Sequence, residues 1–228
     1  MTSEFTSGVR HECGLFGVYS NESKKLSELV YYGLYALQHR GQESAGIAVA
    51  HNNKISYYKN LGLMSEVFDK EHLKAMPEGD IAIGHVRYAT SCSTNVVNVQ
   101  PIVFSGNFGK LAIGHNGSLV NSRILRKQLI EDSVIFQGIT DCEVIAALIN
   151  KYTEDDIVDA VIKACNDLQG GFAVIMNTTN QLIAVRDRSA IIPLILGRYL
   201  DDYIVASESC AIHAIGGEVI EILSRARY

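Results

Sequence analysis

His11-Glu12-Cys13-Gly14-Leu15-Phe16-Gly17 is the stretch whose reading decides the fold. A cysteine followed by Gly and an apolar run places a thiol at the exposed start of a buried strand. The leader ahead of it, residues 1–12, is short and polar. If that leader is removed, Cys13 becomes the first residue and carries both a thiol and an α-amino group. An α-amino group titrates near pKa ~8 and can take a thiol proton near neutral pH. That is the logic of an N-terminal nucleophile, whose base is built into the terminus. The competing reading is a cysteine buried as a small hydrophobe, the commoner fate of this residue type. The rest of the chain must decide between the two.

Working outward, residues 15–19 read as a short apolar strand. Leu26, Leu29, Val30, Gly33, Leu34 and Leu37 mark one face of a helix. Residues 46–50 and 55–58 read as strands joined by the turn His51-Asn52-Asn53, and residues 81–83 and 111–113 as further buried strands. Ile124, Leu125 and Leu129 fit a helix. Thr140-Asp141-Cys142-Glu143 has the form of a capping box ahead of Val144, Ile145, Leu148 and Ile149. Thr153 opens an acidic first turn before Ile157, Val161, Ala164 and Leu168, and Gly170-Gly171 ends that helix. Residues 172–176, 182–185, 193–196 and 203–205 then follow as successive strands, expected as an antiparallel meander. Strands without intervening helices argue against a doubly wound parallel sheet. The expectation is an α+β fold, with two sheets packed between helices.

The chain of 228 residues suits one large domain or two small ones. A net charge of -5 gives no basic footprint for nucleic acid. The basic run from Arg123 to Lys127 reads as a solvated helix face. The 5 cysteines include no CxxC pair, and the odd count argues against a disulfide framework. A reducing, cytoplasmic setting is the simplest expectation. The N-terminus lacks the apolar core of a secretory signal, and no apolar run is long enough to span a membrane.

Three polar clusters carry chemistry. Gln38-His39-Arg40-Gly41-Gln42-Glu43 joins a helix to a strand, and turn chemistry explains only its glycine. Gly84-His85-Val86-Arg87-Tyr88-Ala89-Thr90 returns a buried strand to the surface, where Arg87 can grip a carboxylate through two parallel hydrogen bonds. Gly114-His115-Asn116-Gly117-Ser118 reads either as an Asn-Gly hairpin turn or as an oxyanion site, built from the Asn116 amide and the Gly117 N–H. Asp141 is explained by the helix dipole, or else by an ammonium partner. Together these groups describe an amino acid with a side-chain acyl group, glutamine or asparagine.

The chain resembles the glutaminase domain of the amidophosphoribosyltransferase family of purine synthesis. The resemblance rests on Glu-Cys-Gly-Leu-Phe-Gly at 12–17, Leu-Gln-His-Arg-Gly-Gln-Glu-Ser-Ala-Gly-Ile at 37–47 and Gly-His-Val-Arg-Tyr at 84–88. It continues through Gln100-Pro101, His-Asn-Gly-Ser-Leu-Val-Asn at 115–121, Thr-Asp-Cys-Glu-Val at 140–144, Ile-Ala-Val-Arg-Asp at 183–187 and Ser-Glu-Ser-Cys-Ala at 207–211. It implies an N-terminal nucleophile hydrolase fold of four layers, α-β-β-α. It also implies a propeptide-like leader at 1–12 and a class II glutamine amidotransferase domain at 13–228. Cys13 would attack the glutamine carboxamide, with its freed α-amino group as base and then acid. Asn116 and Gly117 would hold the oxyanion, and Arg40 would order the site. Arg87, with Thr90 nearby, would hold the substrate α-carboxylate, and Asp141 the α-ammonium. The products would be glutamate and ammonia, by way of a γ-glutamyl thioester.

Propeptide-bearing members often hold an iron–sulfur cluster through cysteines outside this region, so no cluster, Mg²⁺ or other metal is expected of this chain. The family reads Arg-Asp-Pro-x-Gly-x-Arg-Pro-Leu where this chain has Arg186-Asp187-Arg188-Ser189-Ala190-Ile191-Ile192-Pro193-Leu194, and Cys92 takes a position where the family has Gly. Both departures put a loop in question. No phosphoribosyltransferase domain follows, and the sequence past Gly217 leaves the family pattern, as in a truncated gene, an excised domain or a diverged paralogue. This chain alone is therefore not expected to make phosphoribosylamine. A phosphoribosyltransferase domain or subunit acting in trans, or a second copy of the chain, would be its partner. The alternatives are a non-catalytic glutamine-binding or interaction domain and a glutaminase domain of another amidotransferase.

Overall fold

The computed structural model describes residues 13–88, 95–153 and 156–223. In chain order the elements are β1 Gly14–Lys24, α1 Leu26–Ala36, a 3-10 turn Gln38–Arg40, β2 Ser44–His51, β3 Lys54–Leu61, α2 Met64–Val67, α3 Lys70–Ala75 and β4 Gly79–Arg87. After the 3-10 turn Val96–Asn98 come β5 Ile102–Gly106, β6 Gly109–Leu119, α4 Ser122–Glu131, α5 Asp141–Tyr152, α6 Ile157–Asp167, β7 Gly170–Asn177 and β8 Leu182–Arg186. The chain closes with β9 Ile195–Tyr199, β10 Asp202–Ala206, α7 Ser209–Ala214 and β11 Glu218–Ile222.

Among the described residues the strands form a sheet of seven, ordered β11-β9-β10-β1-β4-β2-β3, and a sheet of four, ordered β5-β6-β7-β8. Every pairing is antiparallel. Three apolar cores separate the layers. Phe16, Val18, Leu34, Ile47, Met64 and Ile212 join the larger sheet to α1, α2 and α7. Leu15, Ile83, Ala112, Ile175 and Val205 fill the space between the sheets. Leu111, Ile113, Leu129, Ile145, Val161 and Val174 join the smaller sheet to α4, α5 and α6. Alternation sets this up: Leu15 and Phe16 are adjacent on one strand and point to opposite faces, so β1 serves two cores. At Gly33, α1 presses on β1 so closely that a Cβ would lie 2.4 Å from the Phe16 ring. The result is the expected α-β-β-α order, with apolar burial as its main driving term.

Several local expectations are corrected. The last strands are not one meander. β7 and β8 form a hairpin in the smaller sheet, while β9 and β10 form one in the larger. Residues 187–194 carry the chain from one sheet to the other, and Asp187 organises that passage. Its buried carboxylate accepts the backbone N–H groups of Ser189 at 2.9 Å and Ile191 at 3.1 Å. The capping box is also absent. Thr140 makes no side-chain cap on α5, and Glu143 instead accepts the N–H groups of Gln137 at 2.7 Å and Gly138 at 3.0 Å. Thr153 ends α5, with its hydroxyl donating to the Ile149 carbonyl at 2.6 Å. The cap of α6 is Asp156, which accepts Val158 N–H at 2.9 Å. Gly170-Gly171 opens β7 instead of closing a helix. Ile124 lies on the exposed side of α4, and only Leu125 and Leu129 face inward.

Candidate functional site

Cys13 stands just ahead of β1, at the end of the larger sheet where β4 also ends. Gly14 pairs with Val86 and Ser44 with Arg87, so the register carries Arg87 to the same end as Cys13. Cys13 has φ 70, a left-handed conformation that residues with a Cβ rarely adopt. Its surroundings hold it there. The Cys13 N–H donates to the Arg40 carbonyl at 3.1 Å. The Cys13 carbonyl accepts Arg40 Nε at 2.7 Å and Asn116 Nδ2 at 3.0 Å. Backbone strain retained under such over-determination is a common signature of functional positions.

Arg40 is buried and ion-paired with Glu208 Oε1. Burial pushes the Glu208 carboxyl up, but hydrogen bonding and charge from Arg40, with help from Cys210 and His39, carry it below the ordinary value. Asn116 is fully buried and its Nδ2 also donates to Ser207 Oγ at 3.0 Å, so both amide protons are engaged. Ser207 in turn accepts the Leu15 N–H at 2.9 Å. The Asn-Gly pair is not a hairpin turn. Asn116 and Gly117 lie inside β6, opposite Ala173 and Phe172. Gly117 has φ +102, and a Cβ there would fall 2.2 Å from the Gly171 carbonyl oxygen, so only glycine fits.

Asp141 opens α5 and turns back to the end of β6. Its Oδ2 accepts Leu119 N–H at 3.0 Å and its Oδ1 accepts Ser122 Oγ at 2.5 Å. Arg87 donates from Nη1 to the Asn98 carbonyl at 3.3 Å and lies 3.8 Å from Glu43. The structure thus gathers Cys13, Arg40 and Asn116 by direct contact and anchors Arg87 and Asp141 on adjoining strand and helix ends. Thr90, Cys92 and the leader 1–12 lie outside the described residues.

Burial, with Glu208 beside it, raises the Cys210 thiol above its ordinary value. Burial pushes Cys142 far above the ordinary range and Cys165 up to about 12, so neither provides a thiolate at neutral pH. Cys142 and Cys165 belong to the helical side of the smaller sheet, whereas Cys13 and Cys210 lie by the larger. Two buried histidines flank the site. Burial pushes His85 down to about 3, against its hydrogen bond to the His115 carbonyl and with Arg87 adding to the depression. Burial lowers His115 too, opposed by Asp141.

A cleft of about 810 Å³ opens between β3 and β5, lined by Tyr57, Lys59, Asn98, Phe104, Gln137 and Glu143 among others. Cys13 is not in its wall; the two regions meet through Asn98 and Arg87. Sequence reasoning assigned no role to Glu208, Ser207, Glu43 or Asn98. Ser207 and Glu208 sit in a quoted motif, Ser-Glu-Ser-Cys-Ala, but nothing local marks them as partners of Asn116 and Arg40, 91 and 168 positions away.

The family described as glutamine amidotransferase domain matches residues 85–214. The amidophosphoribosyltransferase of Methanocaldococcus jannaschii is 43% identical over 211 residues, covering 92% of this chain and 45% of that protein. The Bacillus subtilis amidophosphoribosyltransferase is 41% identical over 210 residues, covering 92% of this chain and 44% of that one. The chain thus spans about half the length of these curated relatives. Among solved structures, glutamine phosphoribosylpyrophosphate amidotransferase from B. subtilis, complexed with ADP and GMP, matches with TM-score 0.86 and 39% identity over 93% of this chain and 46% of that one. A class-II domain protein from Silicibacter pomeroyi, at 17% identity and TM-score 0.56, shares the fold.

Proposed function

Since the chain belongs to the glutamine amidotransferase domain family, we propose that it hydrolyses glutamine to glutamate and ammonia, with Cys13 as nucleophile after removal of residues 1–12. The observation that carries this reading is the strained Cys13, gripped on its N–H and carbonyl by Arg40 and Asn116.

In this mechanism the exposed α-amino group of Cys13 takes the thiol proton, and Sγ attacks the substrate carboxamide carbon. The negative charge on the tetrahedral oxygen meets the Asn116 amide and the Gly117 N–H. Asn116 already spends both amide protons, so one bond, to the Cys13 carbonyl or to Ser207, exchanges for the oxyanion. The amine takes the proton back from the α-ammonium and leaves as ammonia, and water cleaves the γ-glutamyl thioester. Arg87 and Thr90 hold the α-carboxylate, Asp141 the α-ammonium, and Arg40 fixes the main chain of Cys13.

The similarity to amidophosphoribosyltransferases over about half their length supports a place in purine biosynthesis, with ammonia passed to a phosphoribosyltransferase domain or subunit. We place the protein in the cytoplasm; among the described residues no helix is long and apolar enough to cross a membrane. Glutamate release by the purified protein, together with its intact mass, tests this reading. Loss of residues 1–12, turnover in the mature chain and none in Cys13→Ala are expected. Undiminished turnover in Cys13→Ala would overturn the mechanism. A full-length chain that binds glutamine without turning it over would instead identify a binding domain.

A further inference from the structure

Glu208 has two faces. Its Oε1 meets Arg40, while its Oε2 lies 3.0 Å from His39 Nε2 and 3.5 Å from Cys210 Sγ. The three ligating atoms lie within 4.8 Å of one another. They come from three places in the chain: the 3-10 turn after α1, the residue ahead of α7 and the first turn of α7. A tetrahedral zinc site with Zn–N of about 2.0–2.1 Å, Zn–O of about 2.0–2.2 Å and Zn–S of about 2.3 Å has ligand–ligand edges of roughly 3.3–3.6 Å. The two observed separations already approach those edges. His39 and Cys210 are exposed, which leaves a fourth position open to water.

The bland reading is a carboxylate that accepts hydrogen bonds from a neighbouring imidazole and thiol. It accounts for each contact singly but gives no reason for one nitrogen, one oxygen and one sulfur to converge. A donor set of imidazole, carboxylate and thiolate suits a borderline-soft divalent cation, whereas Mg²⁺ and Ca²⁺ take oxygen ligands. We propose that His39, Glu208 and Cys210 form a Zn²⁺-class binding site that shares Glu208 with the Arg40 anchor of Cys13. On binding, the Cys210 thiol proton passes to solvent and His39 coordinates through Nε2. The cation then competes with Arg40 for the charge of Glu208 and loosens the guanidinium that holds the Cys13 carbonyl. This coupling rests on the glutaminase reading; the site itself does not.

The test uses Co²⁺ as the spectroscopic probe on the untagged, reduced full chain carrying Cys13→Ala, so that Cys13 contributes no thiolate. One equivalent of Co²⁺ should give thiolate-to-metal charge-transfer and tetrahedral ligand-field bands, displaced by Zn²⁺. Cys210→Ser should abolish the charge-transfer band, and His39→Ala should weaken binding at least tenfold. Both residues are exposed, and circular dichroism checks that the variants fold. Absence of the bands in the Cys13→Ala chain, or their persistence in Cys210→Ser, overturns the site. In the chain with Cys13 intact, Zn²⁺ should inhibit glutamate release, and Cys210→Ser should raise the inhibitory concentration at least tenfold. Equal inhibition in both overturns the coupling through Arg40. A chain without glutaminase activity that still shows the bands sinks the catalytic reading and leaves the metal site standing.

Discussion

Arg40 and Cys13 hold each other at both ends of one residue: the Arg40 carbonyl accepts the Cys13 N–H at 3.1 Å, and Arg40 Nε donates to the Cys13 carbonyl at 2.7 Å. The first bond needs only backbone; the second needs a guanidinium, because its other arm is committed to Glu208. Lysine offers one ammonium and cannot fork between the two. A hydrogen bond to a charged group contributes about 1.5–3 kcal/mol, which corresponds to roughly 10–100-fold in rate. Arg40→Lys should lower kcat for glutamate release by that factor with KM little changed. A matching rise in KM would show that Arg40 acts on substrate binding instead.

In the chain that still carries residues 1–12, Cys13 stores backbone strain. A left-handed residue with a Cβ is disfavoured by about 1–2 kcal/mol, and glycine gives back roughly 0.5–1 kcal/mol through chain entropy. Cys13→Gly should therefore raise stability by about 0.5–1 kcal/mol over Cys13→Ala, which keeps the strain. Both variants should be inactive. Urea denaturation of the pair measures the difference, and a Gly variant no more stable than Ala would refute the strain account.

Ala190 presents the same physics without a catalytic reason. It has φ 53 in the passage between the sheets, at the position where the family pattern has glycine. The departure from that pattern leaves the loop built, because Asp187 and Arg186 hold its backbone, but it leaves the residue strained. Ala190→Gly should gain about 0.5–1 kcal/mol and leave glutamate release unaltered. A lower melting temperature would count against it.

Acid should unfold the protein through its buried histidines. The folded pKa of His85 is about 3 and its unfolded pKa is near 6.5. Above the unfolded value both states are neutral and stability is unaffected. As pH falls below it, the unfolded chain takes up a proton the native state refuses, and stability declines until the folded value is reached. His115, depressed by burial, acts in the same direction. Between about pH 6 and pH 4 His85 alone removes about 1.4 kcal/mol per pH unit. His85→Gln should flatten that slope by one proton in denaturant titrations run across the range. An unchanged slope would place the effect elsewhere.

The sequence carried the layers and the site residues to different degrees. Alternation and helical spacing around Leu15, Phe16, Val30 and Leu34 announce a strand and helix packed together, and the absence of helices between the last strands excludes a doubly wound sheet. The sheet change between β8 and β9 was hidden, because a strand's partner is a long-range fact and both hairpins look alike locally. Thr140 and Glu143 satisfy the spacing of a capping box, yet Glu143 is taken by a nearer pair of N–H groups at Gln137 and Gly138. Asn116-Gly117 fits a turn by residue type, but the positive φ of Gly117 serves close packing on Gly171 within a strand. Glu208 and Ser207 were illegible as partners, since their meaning comes from side chains 168 and 91 positions distant.

The place of β1 in the larger sheet has a consequence for the order in which the protein comes into being. β1 is made first, yet it lies between β4 and β10, and β10 is among the last strands to be synthesised. The groups that secure Cys13 share this delay, because Asn116 leans on Ser207 and Arg40 on Glu208. While the ribosome is still adding the first two hundred residues, β1 has β4 but lacks β10, and Arg40 and Asn116 lack Glu208 and Ser207. In the proposed mechanism, the cysteine encoded at the front of the message is therefore fully braced only when translation has nearly run through the domain.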